Sequence, residues 1–145
     1  MDGHLSPINL ADSAREFVGA ARREREHAGR GTSITAYFLV ARALELVLKA
    51  YLVFRGRSEA QLRAISHDLN KALADSTREG LASLVNPAPE EIAALSIIND
   101  YYSSKDLEYL HTGYKSYPDH ELLAALVDKI LSALARPLRS WRPPS

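Results

Sequence analysis

Apolar residues recur along this chain every three or four positions, the period of a helix packed on one side, and no stretch alternates convincingly with period two. Leu10, Ala14, Phe17, Val18 and Ala21 form the first such stripe. Ser6-Pro7 opens it, since proline suits a first helical turn whose N–H groups have no partner, and Gly29-Arg30-Gly31 closes it. The run Arg22-Arg23-Glu24-Arg25-Glu26-His27 alternates in sign and reads as a solvated helix end, with a basic docking surface as the alternative.

A second helix is predicted from a Thr32 or Ser33 cap to Gly56. Ile34, Tyr37, Phe38, Leu44, Val47, Leu48, Tyr51 and Leu52 make its main stripe, and Leu39, Val40, Leu46, Val53 and Phe54 fill most of the remainder. A helix apolar nearly all round must be covered on more than one side, so this is the central helix and a candidate subunit interface. Its only polar line is Arg42, Glu45 and Lys49, at i, i+3 and i+7. Charges in such surroundings must pair or reach a cavity. The row is therefore an intrahelical Glu45–Lys49 pair, or the wall of a cleft, or a dimer contact.

Ser58-Glu59-Ala60-Gln61 has the form of a capping box and starts a short helix ending near Ile65. Ser66-His67-Asp68 restarts the chain, with Leu69 and Leu73 on the apolar side. Gly80 and the Asn86-Pro87-Ala88-Pro89 run are breakers. A helix from Pro89, acidic in its first turn as the helix dipole favours, turns Ile92, Leu95 and Ile98 inward and reaches Tyr101 and Tyr102. A less regular, tyrosine-bearing stretch comes next, until Tyr117-Pro118-Asp119 caps a last helix carrying Leu122, Leu123, Leu126, Val127, Ile130, Leu131 and Leu134 and ending at Pro137. The pattern predicts an all-α domain over residues 1–135, an antiparallel bundle of roughly four or five helices, with an extended tail over residues 136–145.

Composition narrows the function classes. The chain has 145 residues, enough for one domain. Basic and acidic residues balance at 18 each, so attraction to nucleic acid or to an anionic membrane has to come from a local patch. Cysteine is absent, which excludes disulfides, thiolate metal sites and cysteine nucleophiles and fits a reducing cytoplasm. The first residues lack an apolar leader, and the longest apolar stretch is interrupted by Arg42, Glu45 and Lys49, too charged for a membrane span. A soluble, cytoplasmic domain without membrane contact is the expectation.

Three features together resemble the HEPN domain family: the helix from Ala41 to Gly56 with Glu45 and Lys49, the following Ser66-His67-Asp68-Leu69, and the element Tyr114-Lys-Ser-Tyr117-Pro118-Asp119 before the last helix. The resemblance implies a helical bundle that usually dimerises and often acts beside a small nucleotidyltransferase in toxin–antitoxin or defence modules. Many members of that family are metal-independent ribonucleases with an Arg-x4-6-His motif. Others lack the motif and serve as nucleotide- or substrate-binding halves.

The ribonuclease motif matches once, at Arg22 and His27, but about one match arises by chance in a chain with thirteen arginines and five histidines. The two side chains also lie about 140° apart on a straight helix, too divergent to grip one phosphate. Family nucleases carry the motif on a late helix, where this chain offers Lys105 and His111, and lysine lacks the planar fork of arginine. That degenerate pair is the catalytic alternative.

His67, the histidine that matches the family, is either a loop residue bonded to nearby backbone or a group at a cleft mouth that binds a nucleotide phosphate or base. Tyr101, Tyr102, Lys105, Tyr109, His111, Tyr114, Lys115 and Tyr117 interleave aromatic and basic groups. Such a mixture stacks bases while neutralising phosphate, or else packs its rings at the end of the bundle, and Asp106 and Glu108 dilute its charge. The histidines have no metal-ligand spacing on one helix, and no glycine-rich phosphate loop follows a strand, so no metal or cofactor is expected.

The preferred reading is a non-catalytic module, expected as a homodimer, that binds a nucleotide, RNA or a nucleotidyltransferase partner. Its binding residues would be His67, Lys105, Tyr109, His111, Tyr114 and Lys115, with Arg42, Glu45 and Lys49 at a cleft or interface. A ribonuclease toxin using Lys105 and His111, and a ligand-free helical interaction protein, are the alternatives.

Overall fold

The breaks in the hydrophobic pattern, Pro137 apart, fall at or beside helix ends in the computed structural model, which describes residues 5–103 and 117–144. Those residues form an all-α bundle of six α-helices without a strand, one or two more helices than expected. They are α1 (Pro7–His27), α2 (Ile34–Phe54), α3 (Glu59–Ile65), α4 (Leu69–Arg78), α5 (Pro89–Tyr102) and α6 (His120–Arg139), with a single 3-10 turn at Leu81–Ser83. Side-chain oxygens take up the orphan N–H groups at the starts. Ser6, Ser33, Ser58, Asp68 and Asp119 accept from Asn9, Ala36, Gln61, Lys71 and Glu121 respectively. Ser58 and Gln61 complete a reciprocal capping box. At the end of α2, Gly56 adopts φ 97°, its N–H reaches Val53 O at 2.9 Å, and Arg57 N–H reaches Leu52 O at 2.9 Å. This is a Schellman ending, which needs a left-handed residue at the glycine.

Fourteen of the 21 residues of α2 are buried, which makes it the central helix. Its most extensive contact is with α1, α6 packs on both, and α4 and α5 close the remaining sides. The apolar surface behind the expected subunit contact through α2 is thus largely covered by the chain's own helices. Charged ties join the outer helices: Arg22 of α1 meets Glu121 and Asp128 of α6 at 2.8 and 2.7 Å, and Lys129 of α6 meets Glu91 of α5 at 2.6 Å.

Three local expectations are corrected. Pro137 does not end the last helix: α6 continues to Arg139. The missing N–H deprives only the Ala133 carbonyl, close to a terminus, while Leu138 beyond it is buried in the core. Ile92 points to solvent, and Glu91 takes the inward place because its carboxylate accepts from Ala88 N–H and from Lys129. Phe38, counted in the core stripe of α2, is 49% exposed. At 100° per residue it shares, within about 60°, the face of Arg42, Glu45 and Lys49.

Candidate functional site

The polar row of α2 converges on Glu45, which is only 2% exposed. A carboxylate withdrawn from water needs compensating donors, and α2 supplies two from its own next turns. Lys49 Nζ donates to Glu45 Oε2 at 2.7 Å, and the Arg42 guanidinium is ion-paired to Oε1 at 3.2 Å. Two more come from other elements. Tyr102, the last residue of α5, donates its hydroxyl to Oε1 at 2.6 Å, and His67 Nδ1, between α3 and α4, lies 3.0 Å from the same oxygen.

The short connection bearing His67 is clamped on both sides. Ser66, just before it, has φ 56° and ψ −130°, a conformation that side chains disfavour, and its carbonyl accepts from Lys49 Nζ at 2.7 Å. Just after it, Asn99 of α5 accepts from Leu69 N–H at 2.6 Å and donates to the Asp68 carboxylate at 3.1 Å. Lys49 and Asn99 therefore position the imidazole through the backbone beside it, and the Tyr102 ring meets it edge-on at 5.7 Å.

Charge follows from this geometry. Burial opposes ionisation of Glu45, but the hydrogen bonds from Lys49, Tyr102 and His67, with the Lys49 charge, outweigh it and hold the carboxyl below the usual carboxylate range. Burial pushes the Tyr102 phenol well up, and its bond to the Glu45 carboxylate adds to this, so it remains a donor. An ionised carboxylate only accepts, so the proton between Glu45 and His67 resides on Nδ1 and Nε2 is the free ring nitrogen. Two cations, Arg42 and Lys49, against the one Glu45 carboxylate leave this group at least one positive charge in excess, and protonation of His67 would add a second. That excess reaches water: the Arg42 and His67 side chains are 34% and 49% exposed. A cleft of about 190 Å³ runs along the row, where Leu10, Glu59 and Arg63 join Arg42, Glu45 and Lys49. Such a cluster can hold an anion or move a proton at Nε2.

Of the residues singled out in the sequence, the fold brings together His67, Arg42, Glu45 and Lys49. Lys105, Tyr109, His111, Tyr114 and Lys115 lie outside the described residues. Arg22 is taken up by α6, away from any role with His27 at the end of α1. Among the described tyrosines, Tyr102 joins the cluster, whereas Tyr37 and Tyr117 stack on each other at 5.5 Å, the packing alternative for that set. Sequence reasoning missed Ser66 and Asn99 as parts of the site, and Phe38 as its neighbour, whose ring meets Tyr102 edge-on. Phe38 was within reach, because it stands one turn before Arg42 in the polar register. The roles of Ser66 and Asn99 arise only from the packing of α4 and α5.

Among the described residues, no group of three or more histidine or acidic side chains is arranged to hold a metal ion, and no helix is long and apolar enough to cross a membrane. The chain matches no protein-family model, and neither curated proteins nor solved structures give a match to it.

Proposed function

We propose that this chain is a non-catalytic, HEPN-like helical module that binds the phosphate of a nucleotide or of RNA at Arg42 and His67. In this reading it works as a homodimer or beside a nucleotidyltransferase partner, in a toxin–antitoxin or defence setting in the cytoplasm. One observation carries the phosphate site: Arg42 and His67 converge on the same oxygen of a buried, ionised Glu45, in a cluster with surplus positive charge, and both reach solvent. Glu45 fixes the two groups in place before any ligand arrives, so little ordering entropy is lost on binding. The fork of Arg42 has further N–H donors to offer a phosphate.

The test is titration of the purified protein with ribonucleoside monophosphates and with inorganic phosphate, monitored by calorimetry. Charge-assisted hydrogen bonds contribute about 1.5–3 kcal/mol, so Arg42→Ala should weaken binding by roughly 10- to 150-fold. No binding of any phosphate compound by the parent protein refutes the reading.

The ribonuclease alternative draws on one specific feature. A histidine whose Nδ1 is held by an ionised carboxylate and whose side chain is about half exposed has the orientation that a general acid or base requires. Incubation with tRNA and mRNA decides between the two. Cleavage by the parent and not by His67→Ala would replace the binding module with a nuclease, and loss of cleavage in His111→Ala would point to the Lys105–His111 pair.

A further inference from the structure

Phe38 is, among the described residues, the only large apolar side chain of α2 that stays exposed. It does not sit at random on the helix. It precedes Arg42 by one turn, about 6 Å along the axis, on the face that carries the Glu45 cluster. Its ring meets that of Tyr102 edge-on at a centroid distance of 5.8 Å and an interplanar angle of 62°. Tyr102 in turn is anchored by its hydroxyl to Glu45 and meets His67 edge-on at 5.7 Å. Three rings thus stand in a row beside the cations, and the outermost remains half open to water.

A bare phosphate or a sugar phosphate makes no use of such a ring. A nucleobase does, because every base has a π-face that stacks on an aromatic side chain while its backbone phosphate meets nearby cations. We propose that Phe38 is the base platform of the Arg42–His67 site, and that its ligand is a ribonucleotide with an unpaired base. The base lies on Phe38 and the phosphate sits one turn along α2, at Arg42 and His67. Base pairing would withdraw the face that Phe38 needs, so a free mononucleotide or a single-stranded RNA fits and a duplex does not. This rests on the phosphate-binding reading above and adds the class of ligand to it.

The experiment compares ribose 5-phosphate, adenosine 5′-monophosphate, a short single-stranded oligoadenylate and the same strand in a duplex. Each is titrated against the parent protein, Phe38→Ala and Phe38→Trp, with thermal unfolding to verify that the variants fold. Stacking of one base is worth about 5- to 150-fold in affinity, so the parent should prefer the monophosphate over ribose 5-phosphate by that factor. Phe38→Ala should abolish the preference and leave ribose 5-phosphate affinity unchanged, while Phe38→Trp should keep it. The single strand should bind at least as well as the monophosphate and far better than the duplex, and a mononucleotide-only site would show the reverse order for the first two. Equal affinity of the parent for monophosphate and ribose 5-phosphate, or for single strand and duplex, overturns the platform and leaves the phosphate site standing. Failure of all four compounds to bind overturns both. Light scattering supplies the remaining arm: a parent dimer that Phe38→Ala converts to monomer identifies the ring as a subunit contact and refutes the base platform.

Discussion

Glu45→Gln tests the centre of the cluster with almost no change of shape. The amide is neutral, and one of its two ends donates, so it cannot accept from all of Lys49, Tyr102, His67 and Arg42 at once. Either Lys49 Nζ, now 2.7 Å from Oε2, or the Tyr102 and His67 donors on Oε1 must face an NH₂ group. Removing one partner of a buried ion pair costs about 3–5 kcal/mol, because the other charge stays desolvated. The Glu45 and Lys49 side chains are both largely out of water, so that range applies to them. The pairs with Arg42 and His67 are more exposed and contribute little by comparison. A loss of about 3 kcal/mol corresponds to roughly 10 °C in the unfolding midpoint of a domain of this size. Urea and thermal unfolding followed by circular dichroism measure it. The sign with pH is also fixed. Because the folded-state carboxyl lies below its unfolded value near 4.5, its contribution is complete above that value and is lost as pH falls towards the folded one. Glu45→Gln should therefore flatten that part of the acid limb. A midpoint change within about 2 °C, small against the shift expected of a buried ion pair, with the acid limb intact, would show that Glu45 does not hold the cluster together.

Other perturbations probe separate parts of the same argument. Ser66→Gly should raise stability by about 0.5–1 kcal/mol, since glycine relieves the positive φ and gives back only part of the gain in unfolded-chain entropy, and a destabilised variant in urea unfolding would contradict the strain. His120 donates from Nε2 to Ala36 O at 3.0 Å, and its Nδ1 is buried without a partner; burial, reinforced by Arg25, holds the imidazole below its ordinary value of 6.5. The unfolded chain then binds the extra proton first, so stability should begin to fall below about pH 6.5, above the window of Glu45, and His120→Gln should abolish that early decline in urea titrations. Equal losses in parent and variant between about pH 7 and 5.5 would exclude His120 as the cause. Arg22→Ala should cost less than about 1 kcal/mol, because its pairs with Glu121 and Asp128 are partly solvated, and should leave phosphate binding unchanged; a loss of binding would reinstate the Arg22–His27 motif.

The fold is legible because its punctuation is local. Serine and aspartate caps, the Ser58–Gln61 box and Gly56 after α2 each act within a few residues, and each sits at a helix end. Pro137 misleads since proline's cost depends on how near the helix end it falls and on the residue after it, here the buried Leu138. Ile92 and Phe38 mislead for a tertiary reason: periodicity identifies a face, but which face turns inward depends on the charges that find partners across the bundle. Glu91 found Lys129 and turned in, whereas the Glu45 row found its partners beyond α2 in His67, Tyr102 and the Ser66 carbonyl, and Phe38 at the outer end of that row stays exposed. The Arg42–Glu45–Lys49 row and His67 are each visible in the sequence, separately. Their meeting requires the backbone turn at Ser66, which no side-chain pattern encodes.

Stability alone does not account for the residues on this face. An ion cluster in an apolar wall is often replaceable by well-packed hydrophobic side chains at no loss, so burial of Glu45 is not what a fold requires of its central helix. A serine with φ 56° is a local cost, and a phenylalanine 49% exposed forgoes burial that its neighbours on α2 obtain. Any one of these would be unremarked in a natural domain. All three meet within one helix face and the turn packed on it, and the same atoms link them: Lys49 holds both Glu45 and the Ser66 carbonyl, and Tyr102 touches both Phe38 and Glu45. Departures elsewhere among the described residues, such as Pro137 within α6, the exposed Ile92 and the unpartnered His120 Nδ1, stand apart from one another and are not linked in this way. Where several such departures coincide and are wired together, selection for binding accounts for them better than selection for folding, and the proposed phosphate site and its base platform rest on that difference.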